Sequence, residues 1–247
     1  SLGSNATVNG VLSITTPAAL AIKSNTLTIT GTVTGTGTLS GSASSNLTIA
    51  GTSGSVGTLY FTTGADSLNN FTISRSGSGS KATQGSSLVV AGAMDIVNSG
   101  SEFTLGNNTL TLSGTITGAG SLTGSSSSNL SIGGISGGSV GTLRFTTGSQ
   151  TLNTFTLNRT NVGENPAASL GSGLSVNALT LTSGIFTTGN NLLTWTRTGS
   201  LLPAAQTTYT ANNTDYKNSY ICLCDAAGAS LTFTSPYTGT VGLKVNN

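Results

Sequence analysis

Arg75 and Arg159 are the charged residues that this sequence repeats. Each closes the same stretch, Phe-Thr-Ile-Ser-Arg in one place and Phe-Thr-Leu-Asn-Arg in the other. A repeated guanidinium can line a ridge that takes carboxylates or glycans. It can also sit at a strand end, solubilise the edge and bond turn carbonyls, which needs no partner site. Acidic residues do not recur: Asp66 becomes Gln150 in the second copy and Glu102 becomes Ile185. A repeat that bound calcium or carried carboxylate chemistry in every unit would keep its ligands, and no Asp-rich calcium run is present. Polysaccharide-acting enzymes built on β-helices need acids clustered in a groove. Six scattered acids, no histidine and no Gly-x-Ser-x-Gly elbow lead to the expectation of no enzyme, no metal site and no cofactor. Cys222 and Cys224 form a Cys-x-Cys whose side chains would share one face of a strand. A bridge between them would close a small, strained ring, and two cysteines alone make no zinc site. They read as small buried residues of a terminal module, with a redox clasp as the alternative.

The threonines suggest a different chemistry. Thr28 and Thr30, Thr109 and Thr111, Thr115 and Thr117, and Thr194 and Thr196 are Thr-x-Thr pairs at outward positions of alternating stretches. On stacked coils such hydroxyls would lie ~6.7 Å apart along a strand and ~4.8 Å apart between coils, a lattice that suits ice. Threonine is also the default polar strand residue. An ice-binding solenoid would repeat its threonines at coil length, whereas the clear recurrence here is much longer, with Ser, Asn or Arg144 intervening.

That longer recurrence organises the chain. Ser45-Asn46-Leu47 returns as Ser128-Asn129-Leu130, a shift of 83, and Phe61-Thr62-Thr63-Gly64 returns as Phe145-Thr146-Thr147-Gly148, a shift of 84. Asn25, Asn108 and Asn191 mark three successive copies of one turn, and Trp195 stands where Leu112 and Ile29 stand earlier, as core or as the seam to a cap. The boundaries read as 1–37, the end of a preceding unit; 38–120 and 121–200, two units; and 201–247, a β-rich cap or the next module, rich in tyrosine (Tyr209, Tyr216, Tyr220, Tyr237). Apolar residues fall in i, i+2 pairs such as Leu47/Ile49 and Leu110/Leu112, and no window keeps helical spacing. Gly and Ser punctuate the pairs as turns. The fold class expected is all-β, a parallel β-solenoid, with tandem β-sandwich repeats as the alternative. At ~20 residues per coil, a unit would hold about four coils and the chain ten or so, a rod about 50 Å long.

Charged residues make up 6% of the chain and the net charge is +2. That is too little for a nucleic-acid footprint. No stretch approaches the ~20 apolar residues of a transmembrane helix. The chain starts and stops inside repeat-like sequence and reads as a piece of something longer.

The stretch at 120–159, GSLTGSSSSNLSIGG followed by GSVGTLRFTTGSQTLNTFTLNRT, with its earlier copy at 37–75 and the later LTLTSGIFTTGNNLLTW, resembles the repeats of very large surface proteins of Bacteroidota. The resemblance covers most of residues 24–200. It implies export by the type IX pathway, an extracellular, cell-surface location, and an adhesin or appendage. It carries over no catalytic residue. The expected function is therefore a structural or adhesive stalk. Its expected partners are other copies or neighbouring repeats, with surface glycans or ice as further candidates.

Overall fold

The computed structural model describes residues 1–52, 54–77, 79–134, 138–159, 166–189, 191–196, 219–222 and 230–234. Among them there is no helix, and every pairing between strands is parallel. This is a β-solenoid of about eight turns, not a row of sandwiches. The first turn is β1 (Ala6–Val8), β2 (Val11–Ser13) and β3 (Ala19–Ala21); the second is β4 (Thr26–Ile29), β5 (Thr32–Thr34) and β6 (Thr38–Ser40). Next come β7 (Asn46–Ile49), β8 (Ser55–Leu59) and β9 (Ser67–Leu68), then β10 (Asn70–Ile73), β11 (Ser80–Gln84) and β12 (Leu88–Val90). The fifth turn is β13 (Ala93–Ile96), β14 (Ser101–Thr104) and β15 (Thr109–Leu112), and the sixth β16 (Thr115–Thr117), β17 (Ser121–Thr123) and β18 (Asn129–Ile132). After these, β19 (Thr142–Leu143), β20 (Thr151–Asn158), β21 (Pro166–Leu170), β22 (Leu174–Thr187) and β23 (Leu192–Thr196) complete the coil. β20 and β22 are continuous strands that run from one side of the coil to the next.

Three sides result. The first stacks β1, β4, β7, β10, β13 and β16. The second stacks β2 on β5 and then β8, β11, β14 and β17, with Gly57 of β8 set against Val33 of β5. The third stacks β3 and β6, then β9, β12, β15, β18, the end of β20 and the middle of β22. Each turn takes 18 to 27 residues between paired positions, up to β23. Two later strands, β24 (Ser219–Cys222) and β25 (Ser230–Thr234), pair in parallel with β22 and β23, so both extend the same stack. Cys222 ends β24, Tyr220 lies within it, and Cys224, Tyr209, Tyr216 and Tyr237 lie outside the described residues. In the backbone register Trp195 stands between Val176 and Phe233.

The alternation of each short strand places one residue set inside. Leu27, Leu47, Phe71, Met94 and Ile116 form one in-register inward file, and Ile29, Ile49, Ile73 and Ile96 another. These residues are buried. Burial of each such side chain stabilises by roughly 1.5–3 kcal/mol. Phe71 meets Phe103 edge-on at 5.1 Å, and their copies Phe155 and Phe186 meet at 4.8 Å.

The sequence unit and the turn are out of step. β4 lies on the first side; its copy eleven strands later, β15, lies on the third; and the next copy, β23, follows the second, because it pairs with the start of β22, which pairs with the start of β20. Gly124 donates to the Ser149 carbonyl at 2.9 Å and so seats that start of β20 over β17. Eleven strands on three sides are three and two-thirds turns, where about four had been expected. Corresponding residues in successive units therefore point in different directions.

Candidate functional site

The recurrent arginines are internal. β10 ends when Ser74 donates to the Ile49 carbonyl at 2.8 Å, and the next side chain, Arg75, runs along the stack instead of outward. Its Nη1 donates to Ala50 O at 2.8 Å one turn below, and to Thr30 O at 3.1 Å and Gly31 O at 3.2 Å two turns below. Arg159 does the same: Nη1 donates to Gly133 O and Ser113 O at 2.8 Å, and Nε donates to Gly138 O at 2.7 Å. Arg75 is 6% exposed and Arg159 2%. Burial pushes the Arg159 pKa below its ordinary value. The carbonyls replace the water that each guanidinium has lost, and hydrogen bonds to a charged donor are the stronger kind. Room for the guanidinium comes from Gly51 (φ +106°) and Gly134 (φ +98°), where an added Cβ would stand 3.2 and 3.3 Å from the arginine Nη1 and closer still to a backbone oxygen. Arg75 follows a strand of the first side and Arg159 a strand of the third. They form no common ridge and do not solubilise an edge. Each is a staple across three successive turns, and turn-carbonyl bonding is the part of the expectation that the geometry retains.

Other repeated polar residues are staples too. Ser45 and Ser128 are fully buried; Ser45 Oγ donates to the Lys23 carbonyl of the turn below, and Ser128 Oγ donates to Gly106 O at 2.5 Å. Asn108 Nδ2 donates to Gln84 O and Asn191 Nδ2 to Leu170 O, both at 2.9 Å, while Asn25 Nδ2 donates to Leu2 O at 3.3 Å. Amide contacts between turns also occur, from Asn70 to Asn46 at 3.0 Å and from Asn153 to Asn129 at 3.1 Å. The left-handed residue of the Asn turn is not the asparagine but the position two before it: Lys23 (φ 59°), Gly106 (φ 57°) and Gly189 (φ 56°).

The outward residues form files. Thr28 stands on the first side between Thr7 and Thr48, in the series Thr7, Thr28, Thr48, Thr72, Asp95, Thr117. Thr117 Oγ1 donates to Asp95 Oδ1 at 3.0 Å. Thr115 is in register with Ala93, and Thr30 Oγ1 donates to Asn9 Oδ1 at 3.0 Å. Thr111 belongs to the third side, between Val89 and Ser131, with Thr156 and Thr180 following; Thr109 is in register with Asn129 and then Thr154. Thr194 is in register with Ser175 and Thr232. The sequence alone did not point to a file on the second side, Thr58, Thr83, Thr104 and Thr123, bordered by the Lys81–Glu102 ion pair at 2.9 Å. Its members fall at unequal spacing in non-equivalent parts of the unit, which is why no repeat comparison exposes them.

No known protein family, curated protein or solved structure matches this chain. The site must therefore be judged from its own chemistry. It offers hydroxyl and amide hydrogen bonds at ~4.8 Å axial spacing. Among the described residues no three of His, Cys, Asp or Glu gather where they could hold a metal ion, and no helix is long and apolar enough to cross a membrane.

Proposed function

We propose that this chain is a stalk segment of an extracellular, cell-surface adhesin-like protein, a non-enzymatic rod that spaces or displays the parts to which it is joined. The observation that carries this reading is the phase of the repeat. A unit of three and two-thirds turns sends each copied residue to a new side, so copying the unit lengthens the rod without building one uniform binding face. The residues that do recur, Arg75/Arg159, Ser45/Ser128 and Asn25/Asn108/Asn191, tie turn to turn. Load along the axis is thus borne by backbone ladders and by side chains that span up to three turns. The low charge leaves little repulsion between neighbouring rods. Antibody labelling of intact, unpermeabilised source cells tests the location: surface signal is expected, and label confined to permeabilised cells would overturn it. A glycan ridge at Arg75 and Arg159 is not retained in this reading, because both guanidiniums are committed to carbonyls.

A second reading has one specific support. The first side carries an in-register threonine file over the turns of Thr7, Thr28, Thr48 and Thr72, the geometry asked of an ice-binding face. Its flanking column is mixed, with Thr26, Asn46, Asn70 and Ala93 in succession. Ice recrystallisation assays separate the two: the stalk reading expects no inhibition, and inhibition abolished by Thr48→Tyr would favour the face.

A further inference from the structure

Two planar side chains reach solvent at equivalent points of the two units. Among the described side chains every phenylalanine is buried, and Tyr60 is the aromatic that is half-exposed. It lies in Thr58-Leu59-Tyr60-Phe61-Thr62-Thr63-Gly64. The copy is Thr142-Leu143-Arg144-Phe145-Thr146-Thr147-Gly148, with Arg144 in the place of the tyrosine and also half-exposed. Their surroundings are copied too. Each sits on a glycine floor. A Cβ on Gly85 would stand 2.6 Å from Cδ1 and Cε1 of Tyr60 and from Cγ2 of Thr58; one on Gly171 would stand 2.6 Å from Cγ2 of Thr142 and 2.9 Å from Cγ of Arg144. The turn below supplies hydroxyls. Leu39 pairs with Phe61, which sets Thr38 beside Tyr60, and Thr38 Oγ1 lies 2.6 Å from Thr62 Oγ1. Leu122 pairs with Phe145, which sets Ser121 beside Arg144, and Ser121 Oγ lies 2.7 Å from Thr146 Oγ1. The serine after each glycine fixes the backbone: Phe61 N donates to Ser86 Oγ at 2.6 Å and Phe145 N to Ser172 Oγ at 2.7 Å. Tyr60 Oη makes no hydrogen bond among the described residues, and Arg144 uses Nη1 alone, on Gly118 O at 3.2 Å.

An aromatic ring over a strand glycine is a packing device in its own right. Packing accounts for the edge of Tyr60 that meets Gly85. It does not call for the exposed remainder of the ring, nor for a guanidinium in the copy. What a phenol ring and a guanidinium share, when ringed by hydroxyls, is affinity for sugars. The negative face of the ring attracts the C–H groups on the apolar face of a pyranose, and threonine and serine hydroxyls exchange hydrogen bonds with its OH groups. A guanidinium fork takes a carboxylate. We propose that these two corners are glycan subsites, one per unit: Tyr60 stacks on a neutral pyranose, Arg144 binds the carboxylate of a uronic acid, and the ligand is a polysaccharide that contains both. Tyr60 lies where the second side passes to the third, and Arg144 where the first passes to the second. The two are three and two-thirds turns apart, about 18 Å along the axis, so only an extended chain touches both. The subsites go beyond the stalk reading and do not depend on where the rod is located; their loss would leave that reading standing.

Affinity electrophoresis of the full chain through gels containing hyaluronan, alginate or polygalacturonate tests this. Hyaluronan, which alternates uronic and neutral pyranoses, is expected to retard the chain. Tyr60→Ala and Arg144→Gln are each expected to weaken that binding about fivefold or more, and Tyr60→Phe to keep it. Lys81→Ala, which removes a surface cation away from both corners, is expected to leave it unchanged. Equal thermal midpoints for Arg144→Gln and the wild type separate its loss of binding from a loss of folding. Migration unaffected by all three polysaccharides would overturn the proposal. So would binding that survives Tyr60→Ala, or a loss on Lys81→Ala as large as that on Arg144→Gln, since attraction to any surface cation would then suffice.

Discussion

A buried guanidinium with carbonyl partners on three turns cannot be removed quietly. Arg75→Met keeps the aliphatic bulk but leaves Ala50, Thr30 and Gly31 carbonyls without that donor; the expected loss is about 2–4 kcal/mol in denaturant unfolding. Arg75→Lys should recover little, because one ammonium cannot reproduce a planar fork. Ser128→Ala removes a buried donor from Gly106 O and should cost about 1–2 kcal/mol. In the opposite direction, Lys23→Gly should stabilise by up to about 1 kcal/mol, since Lys23 holds φ 59° where its copies are Gly106 and Gly189. Thermal unfolding with the same variants checks all three signs. The recurrence of Arg75 and Arg159 was visible in the sequence, but their acceptors were not. Backbone carbonyls carry no residue signature, and a strand-end arginine looks alike whether it turns out or in.

For the strands, the i, i+2 pairs sufficed to predict β-structure and the parallel coil, because strands such as Thr26–Ile29 and Asn46–Ile49 have one inward set and no room for a helical period. The phase was not legible. Turns vary from 18 to 27 residues between paired positions, so no fixed coil period emerges, while the 83-residue copy is loud. The second-side file Thr58, Thr83, Thr104 and Thr123 was hidden for the same reason. One corner is especially tight: a Cβ on Gly114 would stand 1.7 Å from Gly92 O, and its counterpart on Gly31 1.9 Å from Gly10 O. Gly114→Ala should force the turns apart, and the expected drop in stability, several kcal/mol, should exceed that of an alanine placed at the open Gly100. Comparing the two midpoints in one denaturant series tests it.

As a whole molecule the rod owes little to ion pairs. The one ion pair among the described residues, Lys81–Glu102, has a half-exposed lysine and is worth at most about 1 kcal/mol. Unfolding midpoints should therefore change little between low and high sodium chloride, and Lys81→Ala should be close to neutral. The mismatch of eleven strands with three sides has a geometric result. Three units restore the starting azimuth after eleven turns, about 53 Å along the axis. Whatever a unit carries once, such as the exposed Thr63-Gly64 and Thr147-Gly148 tips, winds around the shaft like the treads of a spiral staircase. A shaft of this kind has no front or back, and an approaching surface meets the next tread from whichever direction it comes.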